Sequence, residues 1–143
     1  MKLSRNFIVL DTNLIISAFI LPNSAAAKAL EIALEYFDPV CSKEVLYELL
    51  DVIKRDKFGK YATKQELAEL LNVYTQSVIF MDATVEVTDC KDPKDNKFLS
   101  LAITSGAKLI VSGDKKDLIC MNPYQGVDIL RLREFTDNFQ NYR

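Results

Sequence analysis

The chain has 143 residues, 49% hydrophobic and 27% charged, with 18 Lys plus Arg against 20 Asp plus Glu and a formal charge of −2. That balance excludes a disordered chain and a polyanion binder working by bulk positive charge, and it fits one domain, 1–143, with a sizeable core. There is no histidine, and the three cysteines, Cys41, Cys90 and Cys120, are too far apart for a zinc knuckle or a disulfide framework.

Phe7-Ile8-Val9-Leu10 is a short continuous apolar run, the pattern of a strand buried on both faces, and Asp11 lies at its carboxyl end. Leu14 to Leu21 is apolar and helix-compatible up to Pro22. Ser24 can cap a second helix whose apolar residues, from Ala25 to Phe37, recur at threes and fours until Asp38-Pro39. After the strand candidate Val40-Cys41, Ser42 can cap a helix carrying Val45, Leu46, Leu49, Leu50, Val52 and Ile53. Glu48 falls at the border of that apolar face.

Lys54 to Lys64 is a polar, lysine-rich connection, and Gln65 to Tyr74 reads as a helix. Val78 to Met81 and Val85 to Val87 read as strands or extended segments. Asp89 to Lys94 is a loop leading to a helix from Asp95 to about Ser105, closed by Gly106. Leu109-Ile110-Val111 is a second buried strand, turning off through Ser112-Gly113-Asp114. Val127 to Leu130 is a last strand before a helix-like tail, Arg131 to Phe139. Strands alternating with helices predict an α/β fold with a mostly parallel sheet and right-handed crossovers. No run approaches the roughly 18 apolar residues of a membrane span, and the apolar run near the start is too short for a signal-peptide core. The expectation is therefore a cytoplasmic protein without membrane association, its thiols reduced and mostly buried.

Open parallel sheets bind ligands beyond the carboxyl ends of their strands. Asp11 and Asp114 fall there if their strands are neighbours; Asp95, on the first turn of its helix, and Glu48 would face the same edge. Four crowded carboxylates repel one another unless a cation is present, and oxygen donors without histidine suit Mg²⁺ or Mn²⁺. The expected chemistry is phosphodiester hydrolysis. Singly, Asp11 and Asp95 read equally well as helix caps, Asp114 as a turn residue and Glu48 as surface charge. Asp92 and Asp117 are weaker candidates, and Asn13 and Ser112 are candidates for positioning water or a metal-bound oxygen, with side-chain capping the competing reading.

The phrases Val9-Leu10-Asp11-Thr12-Asn13, Ser42 through Glu48-Leu49, Asp92-Pro93-Lys94-Asp95-Asn96-Lys97-Phe98-Leu99 with Ala102, and Ser112-Gly113-Asp114 resemble the PIN-domain nucleases in order and approximate spacing. The resemblance covers nearly the whole chain. It implies a three-layer sandwich with a mostly parallel five-stranded sheet between helices, and Asp11, Glu48, Asp95 and Asp114 as an acidic quartet. Asp117 matches a less regular acidic position, and Asp92 an extra acid of a subgroup similar to toxins of bacterial toxin-antitoxin pairs. An antitoxin protein and self-association are the partners this implies, beside an RNA substrate.

The leading expectation is Mg²⁺- or Mn²⁺-dependent cleavage of single-stranded RNA. Asp11 is the central ligand, Asp95 and Asp114 complete the set, Glu48 holds metal water or a second ion, and Asn13 and Ser112 support them. Lys94 and Lys97, with Lys91, are placed to meet substrate phosphate. The stretch Lys54, Arg55, Lys57, Lys60 and Lys64, with Phe58 and Tyr61, reads first as solvated surface and second as a phosphate guide with stacking rings. Two alternatives stand beside this. Asp11-Thr12-Asn13 with Gly113-Asp114-Lys115-Lys116-Asp117 resembles haloacid-dehalogenase phosphatases, which carry a second Asp where Asn13 stands. The other is a non-catalytic module that binds protein or RNA.

Overall fold

A computed structural model describes residues 4–143. Five strands, β1 (Phe7–Leu10), β2 (Asp38–Cys41), β3 (Ile79–Phe80), β4 (Leu109–Ser112) and β5 (Asp128–Arg131), form one sheet in the order β3-β2-β1-β4-β5. Every pairing is parallel. Successive residues of a strand point to opposite faces, and Ile8, Val9 and Leu10 are all buried, as are all four residues of β4, so both faces of the sheet centre are covered.

The covering helices are α1 (Thr12–Ile20), α2 (Ala25–Tyr36), α3 (Lys43–Ile53), α4 (Lys64–Ser77), α5 (Asn96–Ser105), the short α6 (Lys116–Ile119) and α7 (Leu132–Asn138). Helix α5 packs across β1, β2 and β4, while α2 packs on β2 and on α7, which itself lies against β4 and β5. Phe37, Phe98 and Phe135 are the largest wholly buried side chains of a core continuous from α1 to α7.

The capping signals act as their chemistry dictates. Ser24 and Ser42 accept hydrogen bonds from the backbone N–H of Ala27 and Val45, and Thr63 forms a reciprocal capping box with Glu66. Gly106 ends α5 at φ +75°, a left-handed conformation that a side chain would strain. No single helix among the described residues is long and apolar enough to cross a membrane; α1 and α2 pass such a test only together, bent by 109°.

Several boundaries differ from the sequence reading. Strand β2 begins at Asp38 and includes Pro39, which a buried strand ordinarily excludes. Pro39 pairs with Ile8 of β1, but β3 joins only from Val40, so at Pro39 the strand has a partner on one side alone. Val85 to Val87, expected to be a strand or an extended segment, forms no strand. The Thr104 hydroxyl accepts from the backbone N–H of Thr84 and Val85, taking the place of a neighbouring strand.

Candidate active site

The strand order reverses between β2-β1 and β4-β5, which opens a crevice at the carboxyl ends of β1 and β4. Asp11 follows β1 there, wholly buried. Its backbone N–H donates to the Val111 carbonyl at 3.1 Å, and its Oδ1 accepts from the backbone N–H of Leu14 at 2.8 Å, capping α1. Its Oδ2 accepts from the Ser112 hydroxyl and, at 3.2 Å, from the backbone N–H of Gly113. Burial outweighs these hydrogen bonds and pushes the Asp11 carboxyl from 3.8 up to about 6. The capping reading of the sequence is thus observed at Asp11.

Ser112 is fixed from both sides, because its hydroxyl donates to Asp11 and accepts from the backbone N–H of Lys115 at 3.2 Å. Asn13 donates to Asp114 across 2.6 Å, joining the start of α1 to the loop after β4. Asp114 is exposed, in contrast to Asp11 and Asp95.

Asp95 ends a 3₁₀ turn, Pro93–Asp95, that leads into α5, and its side chain makes no capping hydrogen bond. Only 2% of Asp95 is exposed, and its Oδ1 has no hydrogen-bond partner among the described residues. The Lys115 ammonium lies 3.4 Å from that oxygen, an ion pair without hydrogen-bond geometry. Burial raises the Asp95 carboxyl above its ordinary value despite the opposing pull of Lys115. For Lys115 burial acts downward, but Asp95, Glu48 and Asp11 together overcome it and raise the ammonium.

Glu48 projects from α3, where its Oε2 accepts from the Thr12 hydroxyl and its Oε1 lies 3.1 Å from the Lys97 ammonium. Lys97 and Lys115 both lie over the buried Phe98 ring, 5.7 and 5.6 Å from its centroid. The two lysines thus pair with two of the four acids, Glu48 and Asp95. Among the described residues no three acidic or thiol groups stand close enough together to hold a metal ion.

The donor chemistry nonetheless fits a hard divalent cation. Every candidate ligand is an oxygen, Asp11 is held against its desolvation cost, and the buried Oδ1 of Asp95 has the Lys115 ammonium nearby but no hydrogen-bond donor in place. What the structure brings together at one edge is Asp11, Asn13, Ser112 and Asp114 from β1 and β4, and Glu48, Asp95 and Lys97 from α3 and α5.

Asp92 and Lys94 stand apart from this arrangement. Asp92 caps the 3₁₀ turn by accepting from the Lys94 backbone N–H at 3.1 Å, while its charge acts on Asp95; Lys94 is exposed. Asp117 lies in α6, and its carbonyl accepts from the Cys90 thiol at 3.5 Å. The sequence reading passed over Thr12 and Lys115. Their signal was their place inside the phrases Asp11-Thr12-Asn13 and Ser112-Gly113-Asp114-Lys115.

A cavity of about 190 Å³ beside the acids is lined by Asn13 and Asp114 together with Arg55, Lys57 and Phe58. Part of the basic segment thus faces the acidic edge, with the Lys57 ammonium 5.1 Å from the Phe58 centroid.

Comparison with known proteins gives three findings. The model of a family described as "PIN domain" matches residues 7–116. An uncharacterized protein, MJ1680, of Methanocaldococcus jannaschii is 29% identical over 94% of this chain and 92% of its own length. In a crystal structure of VapBC2 from Rickettsia felis bound to a DNA fragment from their promoter, one chain superposes with a TM-score of 0.61 at 15% identity. That match covers 87% of this chain and 98% of the other, a likeness of fold.

Proposed function

The chain belongs to the PIN-domain family, whose members are generally metal-dependent nucleases, and on that footing we propose that it is an endoribonuclease hydrolysing single-stranded RNA with Mg²⁺ or Mn²⁺. What supports the proposal is that Asp11, Glu48 and Asp95 surround Lys115 beside the switch point of the sheet while Asn13 ties Asp114 to the same edge, with no histidine available for acid-base work. Asp11, Asp95 and Asp114 would hold the metal, and Glu48 its water or a second ion. When bound, the cation supplies Lewis-acid stabilisation of charge developing on the phosphate.

The residues of the chain supply the rest. Ser112 and the Gly113 N–H hold the Asp11 carboxylate in one orientation, and Asn13 does the same for Asp114. Lys97 and Lys115 neutralise Glu48 and Asp95 before anything binds. With those carboxylates holding a cation, Lys97 and Lys115 would be free to bind phosphate oxygens at the same edge. Arg55 and Lys57 extend the positive surface along the strand's path, and Phe58 offers a face for a base. Lys94, exposed beside Asp95, is the more distant phosphate contact.

We further propose a toxin role, for which the fold shared with VapBC2 is support, with an antitoxin protein as partner and self-association of the nuclease beside it. Leu70 and Val73, 39% and 61% exposed on α4, are apolar surface suited to such a contact. The deciding experiment incubates purified, antitoxin-free protein with a pool of single-stranded and structured RNAs plus Mg²⁺ or Mn²⁺. Cleavage abolished both by EDTA and by Asp11→Asn supports the proposal; cleavage surviving either one, or no cleavage of any RNA, refutes it.

A further inference from the structure

Lys115 stands among the acids of the sheet edge, and Asp95, Glu48 and Asp11 all act on its charge. Its side chain is 15% exposed and that of Asp95 3%, so the ion pair between them is largely withdrawn from water. The other pair of the site is built differently. Glu48 meets Lys97 through Oε1 but also accepts from the Thr12 hydroxyl through Oε2, so it keeps a partner without either lysine.

The Lys115–Asp95 pair is incomplete. The ammonium lies 3.4 Å from Asp95 Oδ1, which receives no hydrogen bond among the described residues. A buried ion pair offsets the desolvation of its charges only when its geometry is good and hydrogen bonds satisfy the remaining groups. Asp95 is therefore held by a partner it can exchange for a stronger cation. Lys115 is anchored at its backbone, where its N–H donates to the Ser112 hydroxyl at 3.2 Å, while its ammonium rides on a flexible four-carbon stem. Swinging that stem costs the contact with the Phe98 face, 5.6 Å from the ammonium, and leaves the fold of the loop untouched. An ammonium and a divalent cation drawn to the same carboxylates repel each other.

We propose that Lys115 is a resident counter-ion that competes with the divalent cation for Asp95 and Glu48, so that metal loading turns its ammonium away from the acids. The inference rests on the metal-dependent reading above and adds a regulator to it. Metal affinity is then set by a lysine as well as by the carboxylates, and at low divalent concentration the chain keeps its own acids occupied. Lys115 ligates nothing in this account; it is an antagonist of loading.

Its test needs no RNA. Isothermal titration of Mn²⁺ into antitoxin-free protein should show Lys115→Met binding the ion about tenfold tighter than the unaltered chain. Lys94→Met removes the same charge from an exposed position on the neighbouring turn and should stay within about twofold. A second measurement uses the unaltered protein and decides the matter if Lys115→Met does not fold. Acetylation of Lys115 by an amine reagent, followed by mass spectrometry with Lys94 as reference, should be severalfold faster in Mn²⁺ than in EDTA. Equal or weaker Mn²⁺ binding by a folded Lys115→Met, or an equal gain in Lys94→Met, overturns the inference. So does acetylation of Lys115 that Mn²⁺ leaves unchanged or slows, and so does the absence of Mn²⁺ binding by every variant. A protein that behaves as expected here and cleaves no RNA loses the ribonuclease reading alone.

Discussion

Replacing Asp11 by Asn should make the metal-free protein more stable at neutral pH. The carboxyl is wholly buried, and its rise from 3.8 to about 6 converts to a cost of about 3 kcal/mol for holding it ionised above that range, at roughly 1.4 kcal/mol per unit. Asn removes that cost and keeps the capping bond to Leu14, but its amide N–H₂ then faces the Gly113 N–H and a Ser112 hydroxyl that already accepts from Lys115. A misplaced donor of this kind costs about 1–2 kcal/mol. The net expectation is a gain of about 1–2 kcal/mol at pH 7.5 in EDTA, a rise in Tm of roughly 3–6 °C for a chain of this size.

The pH dependence carries a sign. A carboxyl raised by folding contributes stability that is fully present below its unfolded value of 3.8 and is lost as pH rises through about 6. The advantage of the variant should therefore shrink from pH 7 downwards, vanish around pH 5 and reverse by about pH 4, where only the misplaced donor remains. The assay is urea unfolding of both proteins in EDTA at several pH values, repeated with Mn²⁺, which should raise the Tm of the parent and leave the variant unmoved. A variant less stable than the parent at pH 7.5 in EDTA, or a difference indifferent to pH, would refute the reasoning.

Lys115→Met leaves Asp95 and Glu48 short of a counter-charge and should cost about 2–3 kcal/mol in EDTA by urea unfolding; no loss would mean that Lys97 alone balances the site. Thr63→Ala breaks the capping box of α4 and should cost about 1 kcal/mol, read as a lower thermal midpoint with RNA cleavage unaltered. Cys41 is buried and its thiol is pushed up to about 12, so at pH 8 a thiol reagent should label exposed Cys120 first and reach Cys41 only on unfolding; rapid labelling of Cys41 in the native state would contradict its burial.

The strands at the sheet centre were legible because a strand covered on both faces must be apolar at every position, and Phe7 to Leu10 and Leu109 to Val111 are nearly so. The edge was less so. Val85 to Val87 has β-forming residues, yet it hydrogen-bonds to Thr104 and Ser100, partners that no local pattern names. Asp38-Pro39 reads as a helix stop and is also the opening of β2, since the absence of β3 at that level is visible only in the register.

At the site, the four acids drew attention through their places after apolar strands and on helix borders. Their counter-charges were less conspicuous. Lys97 drew attention for substrate phosphate and is found paired with Glu48, while Lys115, which lies among three acids, stood out only within the phosphatase-like phrase Gly113-Asp114-Lys115-Lys116-Asp117. A lysine's reach depends on a flexible four-carbon stem and on where tertiary packing puts its base, and neither leaves a periodic trace in sequence.

Phe98 is wholly enclosed in the hydrophobic interior, yet both site lysines rest over its ring. Replacing it with an aliphatic residue of similar bulk would preserve much of the packing and remove the shared quadrupole beneath two ammonium groups. At this position, then, tolerance to core substitution and tolerance to altered chemistry are one property: a variant chosen only for retained folding would already have had its charge placement changed.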